Sequence, residues 1–352
     1  MLTQMLLFAA GLLLLVKGSD FFVQAAASLA KKLGVSEFVI GLTLVALGTS
    51  VPELASALAA VFRRQGGMVL GTVIGANVAN LLLIAGLAGA LAAVRTRREM
   101  IGRDGTIMLA TTALFCLFAW NGYFSRLEAA AMLLVYVAYT LFLFTAKAGM
   151  GEEYGFRRFL NYLFRFQYLL TIRDGVSAGF GRARGKGGRD VADRKISRAF
   201  REGIIKDLLL LAASGTAIAF GADFFVGAAV FFAGLFELPP VVIGASVVSL
   251  GTTLPEMSVT VAAARKGFGH IALGNVLGSC IANIGLIVGA SGLVRPLGVA
   301  RQGLPLLLGF LLFASLLLLV FIRTAWRIRR WEGILMLGFY VLYVSMLYFL
   351  LT

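Results

Sequence analysis

"ALGTSVPELASAL" (residues 46–58) and "SLGTTLPEMSVTV" (residues 249–261) decide how this chain is read. Each sets Gly, two hydroxyl-bearing residues, Pro and Glu in the same order inside a run that is otherwise apolar enough to lie within a bilayer. Glu256 follows Glu53 by 203 positions, and the same offset pairs "GSDFFVQAA" at residue 18 with "GADFFVGAA" at residue 221. It also pairs "VIGLT" at residue 39 with "VIGAS" at residue 242, and "GTVIGANVAN" at residue 71 with "GNVLGSCIAN" at residue 274. One ungapped register thus joins Gly18–Gly89 to Gly221–Gly292, which marks an internal duplication.

The composition places both copies in a membrane. Of 352 residues, 60% are hydrophobic and 14% charged, with a mean hydropathy of +0.92, far from the balance of a soluble domain. A crossing helix needs about 20 mainly apolar residues. Ten such runs are expected, at 2–30, 38–62, 69–93, 105–121, 128–147, 207–233, 239–263, 271–294, 303–322 and 333–351. They are apolar on every side, as in "MLLFAAGLLLLV", which excludes the short alternating strands of a membrane barrel. The fold expected is an all-α polytopic membrane protein.

The two glutamates fall on the second and seventh runs, five crossings apart, and an odd number reverses the direction of entry. The ten transmembrane helices therefore form two inverted-topology five-helix repeats, residues 1–147 and 207–352, joined by a basic cytoplasmic linker at 148–206. With that linker inside, all of the 32 Lys and Arg residues except Arg63, Arg64, Arg126, Arg295 and Arg301 lie on the cytoplasmic side, as the positive-inside rule expects. Both termini are then non-cytoplasmic, in a multi-pass protein of the cell (inner or plasma) membrane. The net charge of +15 orients the chain and does not call for nucleic acid. Within the linker, "FRRFLNYLFRFQYLL" (156–170) alternates basic and aromatic residues, which suits contact with membrane lipids. The oligomeric state is not legible.

An acidic residue at mid-bilayer costs about 2.5 to 3.5 kcal/mol on insertion scales. Two of them, with no basic residue nearby on the same or following runs, call for a cation from solution. Pro52 and Pro255 lack an amide proton and displace the carbonyls of Gly48 and Gly251, loosening the chain around Thr49 and Thr252 beside the hydroxyls of Ser50 and Thr253. Asn80 and Asn283, again at the common offset, add amide oxygens. Such oxygen-only donors select hard cations: Ca²⁺ fits, and Na⁺ or protons compete for the same carboxylates. Other chemistry lacks its parts. His270 stands alone in a short turn, Ser50 has no histidine to activate it, and Cys116 and Cys280 form no disulfide framework, so the chain is not read as an enzyme. Asp20 and Asp223 also repeat; Asp20 lies one turn from Lys17, and a structural or gating role is expected of both.

At these residues the chain resembles a known family. "GTSVPE" with "GANVAN", and "GTTLPE" with "GSCIAN", are similar to the alpha-repeats of the calcium/cation antiporter superfamily, in its sodium/calcium exchanger branch. The resemblance implies a secondary antiporter exchanging Ca²⁺ for Na⁺ by alternating access, with no cofactor beyond the transported ions. It assigns Glu53 and Glu256 as paired carboxylates, Thr49 and Thr252 as main-chain ligands, and Ser50 and Thr253 as neighbours lining the site. It adds Asn80 as an amide ligand, Ser279 as a hydroxyl ligand, and Ala46 and Ser249 as sources of main-chain oxygen. Two positions depart from the family pattern. Ala76 replaces the usual serine of the first repeat, and Asn283 stands where some members carry aspartate. These departures keep an H⁺-coupled cation antiporter as an alternative; a cation channel, with the acids as a selectivity ring, is the third reading.

Overall fold

Pro52 and Pro255 each stand at the start of a helix. In the computed structural model, which describes residues 1–32, 50–92, 94–95, 98, 101–145, 155–168, 191–299 and 303–349, each proline sits in the first turn of its helix, where the missing N–H has no intrahelical acceptor to lose. Ser50 (φ −88°, ψ 4°) and Thr253 (φ −83°, ψ 3°) precede these helices with nearly the same backbone geometry. The two helices also end alike. Arg64 and Gly267 adopt positive φ, the amides of Gln65 and Phe268 reach back to the carbonyls of Ala60 and Ala263, and those of Arg64 and Gly267 bond Val61 and Ala264. This is a Schellman stop made twice.

In chain order the first half comprises helices Leu2–Lys32 (α1), Val51–Phe62 (α2) and Gly66–Val78 (α3), a π-wound turn Ala79–Ile84, and Ala85–Leu91 (α4). A two-residue strand Val94–Arg95 (β1), a π turn Ile101–Gly105, helix Thr106–Ala119 (α5), strand Tyr123–Phe124 (β2) and helix Arg126–Thr145 (α6) complete it. Helix Phe156–Phe164 (α7) lies in the connection, with Phe159 and Tyr162 buried against aromatic residues of α6 and Arg157 and Arg158 exposed. The second half comprises Val191–Leu235 (α8), Pro240–Ile243 (α9), a π turn Gly244–Val248, Ser249–Thr252 (α10), Leu254–Arg265 (α11) and Gly269–Ala282 (α12). It closes with a π turn Asn283–Ile287, Val288–Val294 (α13), strand Leu297–Gly298 (β3), Leu304–Ala325 (α14), strand Arg327–Ile328 (β4) and Arg330–Phe349 (α15).

The element boundaries repeat the sequence offset. α2 and α11, α4 and α13, and β1 and β3 are separated by 203 positions; α6 and α15 are separated by 204. The halves are stitched to each other and not only to themselves: β1 pairs antiparallel with β4 and β2 with β3, so each strand takes its partner from the other half. α6 and α15 start on the same device, with the Glu128 carboxylate accepting from the Ser125 amide at 2.7 Å and Glu332 accepting from the Arg329 amide at 2.7 Å.

Among the described residues, seven helices are long and apolar enough to cross a membrane, or eight if Pro240–Thr252 and Leu254–Arg265, bent by 50°, count as one. Of the ten expected runs, the second lies partly outside the described residues and is represented by the apolar helix α2. The fourth appears as the 14-residue α5 behind its π turn. The sixth helix begins at Val191, ahead of the expected 207, so part of the expected linker is helical. The core lies along Gly66–Leu91, an apolar 18-residue stretch of which is 94% buried, whereas the corresponding stretch of Leu2–Phe22 is only 22% buried. The centre is therefore built from α3 and α4, with the second half's α12 and α13 also largely buried, while α1, α6 and α15 present apolar side chains outward.

Candidate functional site

α2 buries Pro52, Glu53, Ser56, Ala57, Ala60 and Val61, pairs of neighbours recurring every four residues, so Glu53 points inward by helical period alone. Glu256 has the matching place in the first turn of α11. Each residue is 1% exposed, and the two carboxyls are close enough for their charges to interact. First-turn positions put both near the positive ends of their helices, which favours an anion there. Glu53 forms no ion pair with a basic residue among the described residues, and both its oxygens lack a hydrogen-bond donor there. Two like charges brought together in a dry interior need a counter-charge between them.

The elements cross over in a regular way. α2, which carries Glu53, packs against the π turn that begins at Asn283; α11, which carries Glu256, packs against the π turn that contains Asn80. Each acid-bearing helix thereby packs on the other half's asparagine-bearing turn. A π turn inserts a residue into the helix and re-aims the side chains at its margin, and such turns are frequent at functional sites. Both polar atoms of Asn80, Oδ1 of Asn283 and the Ser50 hydroxyl are buried without a hydrogen-bond partner among the described residues.

Hydroxyls of the second half are arranged as acceptors. Thr253 donates to the Ser249 carbonyl at 2.9 Å, Thr252 to Val248 at 3.1 Å and Ser249 to Ser246 at 3.0 Å. A hydroxyl whose proton is already committed to main chain offers only lone pairs to whatever stands in front of it. Ser279 is buried on α12. Ala46 and Thr49 lie outside the described residues, as does Gly48. Ala76 is buried on α3 and contributes no polar atom. Among the described residues no group of three or more His, Cys, Asp or Glu side chains is assembled; the site combines two carboxylates with amide and hydroxyl oxygens, a donor set for a hard cation.

Two residues here, Asn77 buried and Asn275 partly so, escape the sequence reading. Asn77, one position after Ala76, donates to the main-chain carbonyl of Cys280 at 3.3 Å and accepts from Asn283 Nδ2 at 3.1 Å. Asn275 donates to the Glu256 carbonyl at 3.4 Å and to Thr260 Oγ1 at 2.9 Å, tying α12 to the helix that bears the acid. The available signal was their type: an amide in an apolar run needs a partner, and at Asn77 the repeat offers only Cys280 for comparison.

A family model described as sodium/calcium exchanger protein matches residues 3–145 and 206–349 of this chain. The sodium/calcium exchanger MaX1 of Methanosarcina acetivorans is 45% identical over 345 residues, which cover 98% of each chain. The inner membrane protein YrbG of Escherichia coli is 28% identical over 355 residues, covering 99% of this chain and 98% of that protein. Among solved structures, that of the sodium-calcium exchanger NCX_Mj soaked with 100 mM Na⁺ and 10 mM Sr²⁺ matches with a TM-score of 0.58 and 26% identity over 97% of both chains.

Proposed function

The chain belongs to the sodium/calcium exchanger family, and from that membership we propose that its paired carboxylates bind Ca²⁺ and Na⁺ in turn, driving antiport by alternating access. It is a multi-pass integral membrane transporter whose substrates are Na⁺ and Ca²⁺. The observation that carries the site is the meeting of Glu53 and Glu256, one from each copy of the duplicated sequence, both buried.

In this reading residues 1–147 and 207–352 are two five-helix repeats of inverted topology about that meeting point, and 148–206 is the cytoplasmic connection. Cross-pairing of β1 with β4 and β2 with β3 supports an arrangement in which equivalent elements face each other. Both termini lie on the non-cytoplasmic side, and the basic residues of α7 face lipid headgroups. Glu53 and Glu256 neutralise Ca²⁺; Asn80, Asn283, Ser50, Thr253, Ser279 and main-chain oxygens at Ala46, Thr49, Ser249 and Thr252 complete its shell. Na⁺ binds the same carboxylates singly, so the ions displace each other, and only a charge-balanced site lets α1 and α8 slide or rock across the rest of the bundle.

Counterflow in proteoliposomes tests this. With Na⁺ inside, uptake of radioactive Ca²⁺ is expected to require the opposing Na⁺ gradient. Uptake that follows a pH gradient instead assigns the protein to proton-coupled exchange, and uptake indifferent to both describes a channel. The buried Ala76 gives a sharper test of the sodium site. Ala76→Ser adds one hydroxyl oxygen and is expected to lower the half-saturating Na⁺ concentration about fivefold, the effect of one hydrogen-bond-sized contact. An unchanged Na⁺ dependence removes position 76 from the site.

A further inference from the structure

We propose that Asn77 is a positioning residue that fixes which atom of Asn283 faces the transported cation, an inference that rests on reading Asn283 as a ligand. Asn77 is wholly buried on α3. Its Nδ2 donates to the Cys280 carbonyl at 3.3 Å, and its Oδ1 accepts from Asn283 Nδ2 at 3.1 Å. A main-chain carbonyl only accepts, so it dictates how the Asn77 amide is turned; reversed, two oxygens would face each other. Asn77 then shows Asn283 an oxygen, and Asn283 answers with its NH₂. Oδ1 of Asn283 is left directed elsewhere, buried and without a hydrogen-bond partner among the described residues, which is the state of a ligand held ready. The relay has no mirror copy, because Cys280 occupies the position equivalent to Asn77. Asn283 is thus a fixed acceptor, while neither polar atom of Asn80 has a hydrogen-bond partner among the described residues.

Asn77→Ala tests the relay in proteoliposomes. It removes the group that holds Asn283 Nδ2, and is expected to raise the half-saturating Ca²⁺ concentration about tenfold while changing the maximal rate by less. An unchanged half-saturation, or a loss of maximal rate alone, overturns the proposal. If the variant does not fold, a Ca²⁺-bound structure of the native protein decides, with Asn283 Oδ1 on the ion and Nδ2 on Asn77 expected, and Asn77 turned away overturning it. Asn283→Ala separates the two readings: no effect there means that Asn283 is not a ligand, whereas an effect there with none at Asn77 means that Asn77 does not orient it.

A second inference stands on charges away from the ion site. Arg63 caps α2 and reaches α8: Nε and Nη2 donate to Asp223 Oδ1 at 3.1 and 2.6 Å, and Nη2 donates to the Asp223 carbonyl at 3.3 Å. Gly227 makes room, since a Cβ there would stand 2.9 Å from Arg63 Nη2. Moved by 203 positions, Arg63 becomes Lys266, the cap of α11, and Asp223 becomes Asp20 on α1. That pair is not formed. Asp20 contacts Lys17 of its own helix at 3.8 Å, and Lys266 is exposed with no ion pair among the described residues. We infer that Arg63–Asp223 and Lys266–Asp20 are alternating latches, the first closed in this conformation and the second made when the opposite mouth closes. Both aspartates ride on the packed pair α1 and α8, and both cations end the helices that bear the glutamates. The latches are unequal: Lys17 competes for Asp20 where Phe220 leaves Asp223 to Arg63, and Gln24 fills the place of Gly227.

The readout is the ratio of half-saturating Ca²⁺ concentrations at the two faces of oriented proteoliposomes. Exposed ion pairs are weak, which suits a contact broken in every cycle. Arg63→Ala and Asp223→Ala are each expected to shift the ratio about fivefold the same way, the double variant no further, and the swapped pair R63D/D223R to restore it. Lys266→Ala shifts it the other way, by less. Additive single effects, or a ratio that none of these changes moves, overturn the inference; if the Arg63 variants do not fold, the Lys266 arm alone decides it by the sign of its shift.

Discussion

Glu53→Gln and Glu256→Gln each reduce Ca²⁺ exchange to background while leaving a folded, membrane-inserted protein. Glutamine keeps the volume and one hydrogen-bonding oxygen, so what is removed is a charge. With one carboxylate left, bound Ca²⁺ carries an uncompensated positive charge in a site where both acids are 1% exposed. Breaking a buried ion pair by deleting one partner costs about 3 to 5 kcal/mol, roughly two to three and a half orders of magnitude in affinity. Heat stability supplies the control. Removing one member of a facing acidic pair relieves repulsion, so each variant without Ca²⁺ is expected to melt no lower than the native protein. The native protein gains stability as Ca²⁺ is added, because the ion binds the folded state alone, and the variants do not. Near-native flux in either variant, or an undiminished Ca²⁺-dependent rise in melting temperature, would remove the carboxylates from the site.

That site was legible in one dimension because duplication writes it twice. Glu53 and Glu256, Pro52 and Pro255, Asn80 and Asn283 stand at one offset, and an acid in an apolar run has few reasons to be there. Helix ends were legible too in principle: "SRLE" at 125–128 has the spacing of the cap that Ser125 and Glu128 make. The π turns were not. An apolar run that is buried on all sides has no polar face whose period would betray an inserted residue, and Gly66–Leu91 is such a run. β1 to β4 are two residues each, too short for alternation to register. Arg63 reads as an ordinary loop charge until α8 brings Asp223 to it, 160 positions away. Asn77 was hidden by the repeat itself, since its partners are a main-chain carbonyl and a side chain of the other half, and neither marks the sequence. Symmetry exposes what the halves share and conceals what only one of them does.

Gly75→Val is expected to be the most destructive change outside the acids. Gly75 lies on α3 against the π turn Gly244–Val248, and a Cβ at residue 75 would overlap the carbonyl group of Ala245. The obstacle is main chain, which has no rotamer to move into. That carbonyl also accepts the hydroxyl of the fully buried Tyr343 at 3.3 Å, so displacing it breaks a bond to α15. The contact is reinforced on the same interface: a Cβ at Gly71 would strike the Val241 carbonyl, and one at Gly244 would strike the Met68 carbonyl. Helices in lipid associate through such backbone approach, because lipid is as apolar as their side chains. Overpacking costs about 1 to 3 kcal/mol where side chains can yield; here they cannot, so a loss at or above the upper end is expected, about 10 °C in melting temperature or failure to yield monodisperse protein. Gly338→Ala is the comparison, since a Cβ at that exposed position on α15 meets nothing within 4 Å and alanine favours the helix. The same interface sets α3, with Asn77, against the segment leading to Thr252 and Glu256. A Gly75→Val protein that folds normally and exchanges Ca²⁺ at the native rate would therefore contradict both the close packing and its part in bringing the two halves of the site together.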